Sequence, residues 1–184
     1  MIKNEGVKVK KFLKEWMPYF VIVVAIILLR KYIITPVIVR GDSMYDTLCD
    51  GEVLLLSKIN YRFGDIDRFD VVVIRDKNKE YIIKRVIGLP GDNIEYRDDV
   101  LYINGEAYTK KFTDDVTEDF TLEDICKIND IDCHEKIPEG MYLVLGDNRD
   151  VSADSRIKGL IGKEQIIGKA VFRIWPITRF QSVK

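Results

Sequence analysis

Apolar residues follow two different rhythms along this chain. Near its start, Lys3, Lys8, Lys10, Lys11 and Lys14 precede an uncharged run of 14 residues, Trp16 to Leu29. Nothing polar breaks that run into a wet and a dry face, and it is shorter than the roughly 20 residues that span a bilayer as a helix. Beyond residue 50 the apolar stretches become short, rich in Val, Ile and Tyr, and bounded by Gly, Asp and Asn. That punctuation predicts strands at Glu52–Ser57, Phe69–Arg75, Tyr81–Ile87, Ile94–Arg97, Val100–Ile103, Met141–Leu145 and Ile166–Ile174. Asp98-Asp99 and Asn104-Gly105 read as two successive hairpin turns. No βαβ alternation and no internal repeat is present. Residues 113–136 break the β rhythm with an acidic, loop-like stretch holding one short helix near Leu122–Ile128, read as a solvated surface insertion.

The N-terminal run has three readings. A buried core helix is disfavoured by the five preceding lysines. A cleaved signal peptide fits the length and basic start, but Arg30, Lys31, Tyr32 and Ile33 follow in place of an Ala-x-Ala-like site. An uncleaved anchor is favoured, from about Phe12 to Ile34, with Lys14, Arg30 and Lys31 snorkelling to the headgroups and Pro36 helping to end the helix. The lysine asymmetry then puts residues 1–11 in the cytoplasm and residues 35–184 outside, in a single-pass arrangement at the cell membrane.

Charge and composition remove several classes. Lys plus Arg number 29 against 30 Asp plus Glu, so there is no basic footprint and nucleic acid is excluded as a partner. Cys49, Cys126 and Cys133 lack Cys-x-x-Cys pairing, and the acidic stretch lacks the ligand spacing of a calcium loop, so no metal or cofactor is expected. Cys126 and Cys133 are close enough in sequence to bridge, leaving Cys49 over; three free thiols are the alternative. The sole histidine, His134, sits in the acidic insertion and is read as an exposed loop residue, which leaves a hydrolase in need of another base. Lysine serves if burial lowers its pKa. Most lysines lie in polar runs, but Lys84 lies inside Tyr81-Ile-Ile-Lys-Arg-Val-Ile-Gly88. Ser43 follows a glycine in Arg40-Gly-Asp-Ser-Met44, where a tight turn can expose a hydroxyl. A third segment, Gly146-Asp-Asn-Arg-Asp-Val-Ser-Ala-Asp-Ser-Arg156, is dense in short polar residues directly after an apolar strand.

Together these segments resemble the bacterial type I signal peptidases, the lysine-dependent branch. Gly41-Asp-Ser-Met44 with Thr47-Leu48 resembles the nucleophile box, Lys84 to Asp92 the base box, and Gly146 to Arg156 the third box. The resemblance implies Ser43 as nucleophile and Lys84 as general base, a Ser–Lys variant of the triad logic. It implies that the Ser152 hydroxyl orients the lysine amine, that Asp147, Arg149, Asp154 and Arg156 hold the scaffold, and that the Ser43 N–H serves the oxyanion. It also implies a mainly β, extracytoplasmic antiparallel domain with a small inserted cap at about 93–139, acting on secretory preproteins at the lipid bilayer. Ile82 and Ile83 would wall the pockets for small substrate residues. Two positions depart from the pattern: Gly41 stands where some members carry a serine that adds an oxyanion donor, and Asp46 replaces a proline.

Rival readings fare worse. Ser155-Arg-Ile-Lys158 matches the Ser-x-x-Lys of penicillin-binding enzymes, without their companion motifs. A sortase-like use of Cys49 would need its histidine earlier in the chain. A self-cleaving repressor would need a DNA-binding domain where the anchor stands. The remaining alternative is a catalytically inactive, membrane-anchored binding domain of the same fold.

Overall fold

A computed structural model describes residues 3–45, 47–59, 66–76, 79–133 and 135–183. A long helix, α1 (Lys3–Tyr32), leads into β1 (Ile34–Ile38). There follow β2 (Val53–Ser57), β3 (Val71–Arg75), β4 (Tyr81–Gly88), β5 (Ile94–Arg97), β6 (Val100–Ile103), β7 (Glu106–Tyr108) and β8 (Phe120–Thr121). After α2 (Leu122–Ile128) come β9 (Met141–Leu145), the one-turn helix α3 (Ser155–Lys158), β10 (Ile161–Gly162), β11 (Ile166–Trp175) and β12 (Gln181–Ser182).

The helix is longer than the expected anchor at its start and shorter at its end. Residues 34–38, rich in β-branched side chains, pair with β2 from Ile34 opposite Ser57 to Ile38 opposite Val53. Pro36 sits inside that strand, tolerated because β1 is the sheet edge. Among the described residues no helix is long and apolar enough to cross a membrane. The apolar side chains of α1 are nonetheless uncovered: Trp16, Tyr19, Phe20, Ile22 and Ile26 are all more than half exposed.

The strands form two antiparallel sheets, as the alternation and turn spacing imply. The larger runs β1-β2-β11-β3-β4-β9-β10, with β12 added to β11. The smaller runs β7-β6-β5-β8. Its hairpins turn where expected: Asp98, Asp99, Asn104 and Gly105 all have positive φ, the conformation that suits two-residue hairpin loops. Strands β1, β7, β8, β10 and β12 fall outside the expected set. Four of them have three residues or fewer, too short to show a period.

Apolar clusters fill three spaces. Leu54, Leu56, Val71, Val73, Ile83 and Ala170 line one face of the large sheet and receive Met44 and Leu48 from the loop after β1. Val72, Ile74, Val86, Val144, Ile161 and Ile166 form a second cluster. Ile87, Leu143 and Leu145 pack with Ile94, Tyr96, Leu101, Phe120, Leu122 and Ile125, joining the small sheet and α2 to β4 and β9. Cys126 and Cys133 form a disulfide, closing the turn after α2 and leaving Cys49 free. The acidic stretch is less solvated than expected. Thr117 is buried and Asp115 accepts the Arg149 N–H at 2.9 Å, so part of the insertion is spent on the rest of the chain. His134 lies outside the described residues.

At the β4–β9 bulge, Gly88 leaves no room for a side chain. A Cβ there would overlap Ile137 Cδ1 and lie 2.9 Å from Ile94 Cγ1 and 3.1 Å from Leu143 Cβ. Gly88→Ala is therefore expected to overpack the junction of the two sheets and destabilise by about 1–3 kcal/mol. A urea midpoint equal to that of the parent would contradict it.

Candidate active site

The loop between β1 and β2 carries Ser43. Its base is closed by Val39 N–H to Glu52 O at 2.8 Å and Gly51 N–H to Val39 O at 3.1 Å. Gly41, at φ +77°, donates its N–H to Asp50 Oδ1 at 2.8 Å. Met44 and Leu48 are fully buried and pin the loop to the sheet. Ser43 is thus held between two apolar anchors and a carboxylate clamp. The Ser43 N–H meets no acceptor among the described residues, whereas the Gly41 N–H is already engaged and cannot be the second oxyanion donor.

Lys84 comes from the middle of β4, opposite Val72 of β3. It is 2% exposed, and its Nζ donates to Ser43 Oγ at 2.6 Å. Burial is the largest influence on its pKa and lowers it from 10.5 to about 8; Asp154 opposes the shift, Lys158 reinforces it, and Asp147 and Arg156 make smaller opposing contributions. Desolvation disfavours the ammonium, so the neutral amine becomes accessible near neutrality. The unfolded chain keeps this proton to 10.5 while the folded chain releases it at about 8, so stability rises with pH across that window.

The third segment wraps round this pair. Gly146 follows β9 directly, and a Cβ there would overlap both Ser152 Oγ and the Ser43 carbonyl. Only glycine lets the three segments meet. Asn148 N–H reaches Ser43 O at 3.2 Å. Asp154 Oδ2 accepts the Gly146 N–H at 3.0 Å, and its two oxygens take Arg156 Nε and Nη2 at 3.0 Å. Arg156 Nη2 also reaches Arg149 O at 2.6 Å. Arg149 in turn donates to Gly146 O at 2.9 Å, Tyr96 Oη at 3.1 Å and Thr117 Oγ1 at 2.5 Å, so the small sheet helps to hold the segment.

Six of the seven residues singled out beforehand lie in this bonded network. Ser152 is buried beside Gly146, but its Oγ makes no hydrogen bond among the described residues, and the Lys84 amine bonds Ser43. The bond from Ser152 to the amine that the family resemblance implies is absent here. Ile83 is a core residue and Ile82 is only partly covered.

Sequence reasoning passed over Arg85. It reads as a charge next to Lys84, yet it is 1% exposed and forms a two-pronged pair with Asp147, Nε to Oδ1 at 2.9 Å and Nη2 to Oδ2 at 2.7 Å. Its Nη1 reaches Phe69 O at 2.9 Å, its guanidinium lies 4.7 Å from the Phe112 ring centre, and Thr47 Oγ1 completes Asp147 at 2.5 Å. Two adjacent cations inside an apolar strand was the available signal, since each needs its own partner on its own face. Thr47 enters the sequence reading only as part of the nucleophile box and Arg173 without a role: Arg173 fixes the nucleophile loop through Thr47 O at 3.1 Å.

A family model described as signal peptidase, peptidase S26, matches residues 13–175. Signal peptidase IB of Staphylococcus aureus (strain Mu50 / ATCC 700699) is 41% identical over 183 residues, covering 94% of both chains. Signal peptidase I of Bacillus caldolyticus is 41% identical over 176 residues, covering 91% of this chain and 93% of the relative. A crystal structure of a signal peptidase I from Enterococcus faecalis V583 is 36% identical, with a TM-score of 0.49, over 59% of this chain and 98% of the other. The chain belongs to the signal peptidase family, peptidase S26, and its activity is of the serine endopeptidase class.

Arg85→Met would leave Asp147 charged and buried without its partner. The expected loss is about 3–5 kcal/mol of stability, read from chemical denaturation. A loss below 1 kcal/mol would show that the pair is not needed to hold Asp147.

Proposed function

We propose that this chain removes signal peptides from exported preproteins, with Ser43 as the nucleophile and Lys84 as its general base. The observation that carries the reading is the 2.6 Å contact between a buried amine and the hydroxyl of a loop serine. Neutral Lys84 takes the Ser43 proton as Oγ attacks the carbonyl at the cleavage site. The Ser43 N–H faces the developing oxyanion. The protonated lysine then gives its proton to the leaving amine, an acyl-enzyme remains, and water releases it. Asp147, Arg149, Asp154 and Arg156 position the segment that closes over the dyad, and Arg85 holds Asp147. Ser152, beside the Ser43 carbonyl, is available to the amine once substrate binds.

The proposed setting is the membrane surface. Helix α1 leads into the edge strand β1 and leaves Trp16, Tyr19, Phe20, Ile22 and Ile26 uncovered, which supports an anchor. Its uncharged run of 14 residues spans about 21 Å at 1.5 Å per residue. Lys14, Arg30 and Lys31 would reach the headgroups from inside the remaining thickness. The lysines before the run keep the N-terminal tail, residues 1–11, cytoplasmic and put residues 35–184 outside, with residues 93–139 as the inserted cap.

Incubating purified protein with a preprotein and sequencing the new N-terminus tests the activity, with cleavage expected after small residues. Ser43→Ala and Lys84→Ala should each abolish it, and the double variant should be no worse than either, because the two groups act as one unit. Substantial turnover by either single variant would overturn the dyad.

The pH dependence follows from the amine. The base works only when neutral, so kcat/KM should climb about tenfold per pH unit below its pKa and level off above about 8. His134→Ala should leave that limb in place. A limb that vanished in His134→Ala would assign the base to histidine.

Protease added to intact spheroplasts should digest residues 35–184 and spare an N-terminal tag. Protection of the acidic 113–136 stretch would reverse the topology.

A further inference from the structure

The turn Ile177–Arg179 and β12 fold back along β11 and border an open cavity of about 460 Å3 lined by Thr47, Arg173, Arg179, Gln181 and Ser182, among others. Its charge is unbalanced. Arg173 Nη1 and Arg179 Nη1 both pair with the one carboxylate of Glu52, at 2.8 and 2.7 Å. Two guanidinium groups therefore share a single negative charge. Arg173 is 3% exposed; it spends Nε on Arg179 O at 3.0 Å and Nη1 on Glu52 and Thr47 O. Its Nη2 makes no hydrogen bond among the described residues. The Arg179 side chain, 44% exposed, bonds among the described residues only through Nη1, to Glu52 and to Cys49 Sγ at 3.2 Å. A buried cation without full compensation is costly, and free guanidinium nitrogens at a cavity wall match the oxygens of a tetrahedral anion in a fork geometry. Gln181 and Ser182 add neutral donors on the same wall.

The surroundings say where that anion comes from. Ile177 and Phe180 flank Arg179 and are 74% and 62% exposed, and Trp175 is 55% exposed. Phe172 and Phe180 stack with ring centres 5.9 Å apart. Ile38, also exposed, pairs with Val53, which pairs with Trp175 across β2. A free phosphate gives this apolar rim nothing to cover. A lipid covers it with acyl chain while its headgroup enters the cavity, and aromatic side chains at that depth are the usual companions of an interface.

We propose that this cavity binds the phosphate of an anionic lipid headgroup between Arg173 and Arg179. The site rests on the membrane-surface reading above and adds a contact outside the Ser43–Lys84 dyad. It seats β11 and the nucleophile loop, through Arg173 and Thr47 O, at headgroup level.

The test is calorimetric titration of the full chain in neutral maltoside micelles with dihexanoyl-phosphatidylglycerol. Dihexanoyl-phosphatidylcholine and inorganic phosphate run in parallel. Saturable binding of phosphatidylglycerol is expected, about tenfold weaker in Arg179→Gln and partly restored in Arg179→Lys, with unchanged urea midpoints showing that both variants fold. Absence of saturable binding, or equal affinity in Arg179→Gln, overturns the site. Inorganic phosphate binding as tightly as the lipid overturns the headgroup assignment, and equal binding of phosphatidylcholine overturns the requirement for net negative charge. Micelle binding does not depend on topology. A reversed protease-protection pattern beside intact phosphatidylglycerol binding would therefore retire the anchor orientation and leave the site standing.

Discussion

The structure turns on one awkward requirement: an amine must sit inside a β-sheet without keeping its proton. Lys84 meets it from the middle of β4, between β3 and β9, where Ile82 and Val86 two residues away share its side of the strand. Removing an ammonium from water is unfavourable enough that the group shifts its pKa. Here burial dominates and the shift is moderated because Asp154 pulls the other way, more strongly than Lys158 reinforces it. A fully apolar surrounding would strand the amine as a poor base. A closer carboxylate would fix it as a permanent cation.

Around that amine the chain builds rigidity from charge pairs rather than from bulk. Arg85, the next residue, turns to the other side of β4 and takes Asp147, so one strand supplies both the proposed base and the tether for the segment that closes over it. Asp154 and Arg149 perform matching tasks, each binding the backbone of Gly146 from its own side. All four are buried; Arg85 with Asp147 and Asp154 with Arg156 are ion pairs, and Arg149 is satisfied by neutral acceptors, the conditions under which buried charge is tolerated. Glycine at 146 is what permits the convergence. Every other residue would push Ser152 and the Ser43 carbonyl apart.

The small sheet does more than decorate the edge of the large one. Tyr96 and Thr117 accept from Arg149, Asp115 caps its backbone, and Phe112 covers Arg85. The acidic insertion is therefore tied to the proposed site through the side chains that its polarity made look solvated. Composition could not separate Asp115 from its neighbours, because the difference lies in which carboxylate meets Arg149 across 34 residues of chain.

Local chemistry alone determined much of this protein. Seven of the eight strands of four residues or more, the hairpin turns at Asp98-Asp99 and Asn104-Gly105 and the helix at Leu122–Ile128 follow from period and turn residues, which act over a few positions. The prominence of Ser43 and Lys84 follows from what each residue type costs in its immediate setting. Tertiary structure alone decided the rest. It set the strand order that puts β11 between β2 and β3, the tiny strands whose pairing has no sequence period, and the cut of α1 at Tyr32 by β1 pairing with β2. It also gave Arg85 to Asp147 and bonded the lysine amine to Ser43 rather than Ser152. The Arg85–Asp147 and Lys84–Ser43 contacts join residues 62 and 41 positions apart, and no local period or propensity carries information over that distance.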